Sequence, residues 1–162
     1  MKLKHLLFIC SILLFFSCDK NDKNDKNPDL IFHKSKLERK KNAPFSDAVS
    51  VGNTLYLAGQ VGINPETKKL PEGGIKAETI QALENIKAVL KHHGSDLDHV
   101  VKCTVILADL KDFAEFNKIF RKYFPKNKPA RTTFAANLLV GCKIEIDVIA
   151  VKADGFKDAR VN

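Results

Sequence analysis

The 162-residue chain has no Trp, one Met, two Tyr and four Cys. No Cys and His fall at the spacing of a zinc site, and no RNA-reading aromatic motif accompanies the basic residues. Acidic residues are outnumbered, 19 against 27 Lys and Arg, for a formal charge of +8. Much of that excess lies in the first 41 residues, notably Lys34, Lys36, Arg39, Lys40 and Lys41. Such a stretch beside a leader reflects contact with anionic lipid or plain solvation rather than nucleic-acid recognition. A membrane-spanning run is missing as well. The apolar stretch from Leu6 to Phe16, interrupted by Cys10 and Ser11, is too short to span a bilayer as a mature helix. What remains, 44% hydrophobic and 28% charged, is the composition of one globular domain with a tail.

Lys2, Lys4 and His5 open the chain, and the apolar run ends at Phe15-Phe16-Ser17-Cys18. This looks like the lipobox of a bacterial lipoprotein, with Phe15 where Leu is commoner. The resemblance implies a signal peptide over 1–17, a lipidated Cys18, and an exported, membrane-anchored protein facing the periplasm or cell surface. An uncleaved signal anchor is the alternative. Asp-Lys-Asn then repeats three times from Asp19 to Asn27, too polar to bury anything, and residues 18–42 are expected to form a disordered tether. The folded domain is expected over 43–153, followed by a tail at 154–162.

Leu30-Ile31-Phe32 reads equally as an extra strand or as the tether's end. Two β-type runs, 47–51 and 54–61, flank Gly52-Asn53, a hairpin signal. Thr79, Ala82, Leu83, Ile86, Val89 and Leu90 recur at helical spacing and predict a helix over 75–93, stopped by Gly94. His92 and His93 at its end suit the helix dipole as capping and solvent residues. A strand over 100–107 precedes a second helix over 111–124, whose stripe of Phe113, Phe116, Ile119, Phe120 and Tyr123 reads as core before Pro125. Short runs at 131–136 and 143–150 finish the domain. The order β-β-α-β-α-β-β predicts an α+β fold, a single mixed sheet with two helices on one face. Its other face needs a cover, and self-association supplies one.

The chemistry concentrates in KPARTTFAANLLVGCKIEIDVIA, 128–150. Arg131 offers a planar fork of donors suited to a substrate carboxylate. Glu145, on a strictly alternating strand, can carry a proton. A surface ion pair between the two is the plainer reading. Of the cysteines, Cys10 leaves with the leader and Cys18 takes lipid. Cys103 and Cys142 read as small buried residues, with a disulfide as the alternative for an exported protein.

Five separated motifs, AGQVGINPET, ENIKAVLKHHGSDLDHVVKCTVIL, DFAEFNKIF, KPARTTF and KIEIDVIA, together resemble the RidA/YjgF family of reactive-intermediate deaminases over about 43–153. The resemblance implies a chorismate-mutase-like homotrimer with sites in clefts between subunits. It also implies hydrolysis of 2-enamines and 2-imines, of the 2-aminoacrylate and 2-iminopropionate type, to 2-keto acids and ammonia. No cofactor, metal or nucleic acid is implied. Arg131 falls at the family's carboxylate-binding position and Glu145 at that of its water-placing carboxylate. Thr133 and Asn117 match positions that line or support the cleft. Phe45 and Ala58 stand where many members carry a Tyr and a Ser or Thr, so two hydroxyls are absent, and the 131–145 loop is about one residue shorter. A trimer that only binds a small carboxylate or a protein is the alternative function, and an endoribonuclease a third.

Overall fold

The structure, a computed structural model, describes residues 28–37 and 40–153. The expected leader, the lipidation point at Cys18, the Asp-Lys-Asn run and the 154–162 tail lie outside the described residues. Among the described residues seven strands form one sheet: β1 Leu30–His33, β2 Ala48–Val51, β3 Thr54–Leu57, β4 Gln60–Val61, β5 Val100–Leu107, β6 Ala130–Ala135 and β7 Ile144–Val151. Helix α1, Gly74–His92, and helix α2, Phe113–Tyr123, lie between β4 and β5 and between β5 and β6 in the chain. The strand order is β1-β2-β3-β7-β5-β6, with β4 also paired to β7. Among the described residues only β5 and β6 run parallel. This is the mixed α+β sheet that the sequence pattern predicts.

Alternation decides which residues the helices cover. Ile144, Ile146 and Val148 of β7 and Cys103, Val105 and Leu107 of β5 are all at most 1% exposed, packed with Ala82, Leu83, Ile86 and Leu90 of α1 and Phe116 of α2. Each Leu or Ile so buried contributes roughly 1.5–3 kcal/mol. Helix α1 ends where expected. Gly94 takes φ 74°, and Ser95 N–H reaches back to Leu90 C=O at 2.9 Å, a Schellman closure. Among the described residues no helix is long and apolar enough to cross a membrane.

One open reading is decided and two local expectations change. Leu30-Ile31-Phe32, open between an extra strand and the tether's end, lie in β1, which pairs with β2 from Leu30↔Val51 to His33↔Ala48. The expected run over 54–61 divides into β3 and β4. Tyr56 faces Ile149 and Gln60 faces Ile146, so three intervening residues on one side match two on the other, one extra residue at Leu57-Ala58-Gly59. His93, expected as a capping and solvent residue, does cap α1 but is buried rather than solvated, its ring centroid 4.2 Å from that of His33.

Candidate functional site

Side-chain parity divides the expected site residues into two groups. Arg131 and Thr133 of β6 register with Cys103 and Val105 of β5, on the helix-covered face. Glu145 registers with Ile106, and Ile106 with Phe134, on the opposite face. Strand β5 stands between β6 and β7. Within one chain, therefore, Arg131 and Glu145 do not meet, and the plain reading of an ion pair between them does not hold.

Arg131 lies at the outer edge of the sheet, against α2. Its guanidinium carbon stands 4.7 Å from the Phe120 ring centroid, 5.1 Å from Phe116 and 5.8 Å from Phe113. Burial among these rings pushes its pKa down; the Cys103 thiol opposes this and Arg121 adds to it. The group nevertheless remains charged, as arginine does in proteins. Among the described residues no carboxylate pairs with it. The Thr133 hydroxyl beside it is shut away from solvent, with no hydrogen-bond partner among the described residues. Asn117, half-buried, falls one turn from Phe113 and Phe120 on α2. A partly desolvated cation, an unused hydroxyl and an amide thus gather at one edge, the donor set that a small carboxylate takes.

Glu145 occupies the open face, half-buried. Its carboxyl rests on the main chain of Gly59, where an added Cβ would stand 2.9 Å from the Glu145 Cδ. The bulge between β3 and β4 brings that glycine into place. A clasp that sequence reasoning missed holds the bulge. Lys40 Nζ donates to Asp47 Oδ1 at 2.7 Å and to Gln60 Oε1 at 3.2 Å. Gln60 Nε2 donates to the Ala58 carbonyl at 3.0 Å, and Ala58 N–H donates to the Asp47 carbonyl at 3.0 Å. Lys40 and Asp47 are each about a tenth exposed, so this pair is far better shielded than a surface bridge. The signal for it is slight, one basic residue among the five named in a stretch that reads as solvated.

Phe45 and Ala58 line a groove of about 630 Å³ beside this clasp, with Pro44, Tyr56 and Lys40 among its walls. The groove is apolar at Phe45 and Ala58, neither of which carries a hydroxyl. Both remaining cysteines are buried thiols. Burial pushes Cys103 up to about 12, and burial followed by Glu78 and Glu145 raises Cys142. Neither is an activated nucleophile. Among the described residues no cluster of His, Cys, Asp and Glu is arranged to hold a metal.

A mouse 2-iminobutanoate/2-iminopropanoate deaminase is 44% identical over 115 residues, covering 70% of this chain and 85% of that protein. A RutC family protein of Pyrococcus abyssi is 44% identical over 110 residues, covering 67% of this chain and 87% of that one. The crystal structure of yeast Mmf1 superposes with a TM-score of 0.71 at 36% identity, covering 77% of this chain and all of that one. The Endoribonuclease L-PSP family pattern matches residues 36–152, and with these relatives it shows that the chain belongs to this family, the RidA/YjgF proteins that its motifs resemble.

Proposed function

We propose that the protein hydrolyses 2-imino and 2-enamino acids to 2-keto acids and ammonia, in a homotrimer whose sites form between neighbouring subunits. The observation that carries this is Arg131, a cation half-buried among aromatic rings with no carboxylate partner among the described residues. The names of relatives at 44% identity support the reaction class. Exposed Phe134 and Tyr56 on the open sheet face support assembly.

In this reading Arg131 of one subunit holds the substrate carboxylate through two parallel hydrogen bonds. The neighbour supplies Glu145, with Phe45 and Ala58 beside the substrate side chain. Glu145 takes a proton from water as its oxygen attacks the imine carbon. The proton then passes to nitrogen, and the tetrahedral adduct collapses to the keto acid with loss of ammonia. Such imines hydrolyse unaided, so positioning alone supplies a useful acceleration. Lipidation at Cys18 would hold the trimer at an exterior membrane face, where reactive imines other than 2-aminoacrylate become candidate substrates.

The test generates 2-iminopropionate in situ and follows keto-acid release. Arg131→Ala should lose carboxylate binding, seen as a raised KM, and Glu145→Gln should lose about a hundredfold in kcat. Co-refolding the two impaired variants in equal amounts should return about a quarter of wild-type activity at low substrate, because about one cleft in four joins an intact Arg131 to an intact Glu145. No recovery would place both residues in one subunit's site. Wild-type trimer without acceleration, yet binding small carboxylates, would make the protein a recognition module.

A further inference from the structure

Helix α1 carries a charged residue where its pattern calls for an apolar one. Glu78 stands one turn before Ala82 and two before Ile86, both fully buried, and is itself only 4% exposed. A carboxylate removed from water needs a compensating partner. Its Oε2 has one, accepting the Lys143 N–H at 2.6 Å.

Lys143 immediately precedes β7 and is held at several points. Its carbonyl accepts Ala108 N–H at 2.9 Å, and its Nζ lies 3.7 Å from Asp112 Oδ2. On its far side α1 is pressed onto the segment after β4: an added Cβ at Gly62 would stand 2.6 Å from the Glu78 carbonyl oxygen. The carboxylate of Glu78 therefore reaches Lys143 from a backbone that has little room to move. Glu145 follows Lys143 by two residues and projects to the same side of the strand. The Cys142 thiol, which both Glu78 and Glu145 push up after burial does, has both carboxylates as neighbours.

We propose that Glu78 is a positioning residue for Glu145: its hydrogen bond to the Lys143 N–H fixes the start of β7 and so holds the Glu145 carboxyl over Gly59. The inference rests on the deaminase reading for its turnover readout and on the geometry alone for its spectroscopic one. What Glu78 supplies is an acceptor at the right reach, not its charge. An amide oxygen can replace it, while a shorter side chain cannot.

Full-length wild type, Glu78→Gln and Glu78→Ala are compared for imine hydrolysis and for the ¹³C resonance of the Glu145 carboxyl. Glu78→Gln should keep kcat within about twofold and leave the resonance in place. Glu78→Ala should lose roughly tenfold or more in kcat, with KM changed less than about twofold because the Arg131 arm is untouched, and the Glu145 resonance should move. Glu78→Asp, one methylene short, serves where the alanine variant does not fold and should show the same loss. Folded Glu78→Ala or Glu78→Asp with wild-type kcat and an unmoved resonance would overturn the proposal. So would a Glu78→Gln variant as impaired as the alanine one. If wild type itself shows no turnover, the deaminase reading fails, and the resonance alone decides the positioning role.

Discussion

Cys103 sits opposite Arg131 in the β5–β6 register, and burial lifts its thiol from 9.0 to about 12 even though the guanidinium pulls the other way. The fold therefore favours the neutral thiol. That stability is full below about pH 9 and is lost as pH rises toward about 12, because above 9 the unfolded chain releases a proton that the folded one keeps. Tyr123, raised to about 12 by burial and by its bond to Glu84, acts in the same direction. Thermal melting from about pH 8 to about pH 10 should show a falling Tm, and Cys103→Ala should remove part of that slope. An unchanged slope in the variant would assign the effect elsewhere. The burial of Cys103 was legible in the sequence, since it alternates with Lys102 and Thr104 inside an apolar strand. The burial of Glu78 was not, because its partner lies 65 residues away. A charge on a helix stripe, with the apolar positions around it intact, was the available signal.

The bulge between β3 and β4 is where an element, rather than a residue, shapes the site. Alternation from Thr54 to Val61 suggested one strand, since nothing in Leu57-Ala58-Gly59 announces an extra residue. Only the pairing with β7 reveals it. Gly59 was legible as a small residue in a motif but not as the surface under a carboxyl group. Substituting Gly59→Ala should displace Glu145 and reduce kcat by about tenfold or more while α1 and the hydrophobic core stay intact. Near-wild-type turnover in a folded variant would show that the carboxyl tolerates the shift. Helix ends read more faithfully, because Gly94 and Pro125 act locally through backbone conformation and a missing donor. The first strand did not, because Leu30-Ile31-Phe32 becomes β1 only by pairing with β2, some twenty residues later in the chain.

At the scale of the whole molecule, element order and the helix-covered core followed from periodicity. The separation of Arg131 from Glu145 did not. Alternation along each strand was plain, but the faces could be compared only once β5 was known to lie between β6 and β7. This separation has a consequence for mixed populations of chains. In a trimer built as proposed, each cleft draws on two different subunits. Wild type diluted with Arg131→Ala chains should lose activity in proportion, to about half at equal dose. A chain carrying both Arg131→Ala and Glu145→Gln damages the clefts on both of its flanks, and equal dosing should leave about a quarter. A straight dilution line for the single variant and a parabola for the double one would amount to a genetic signature of shared sites, readable without any further structure.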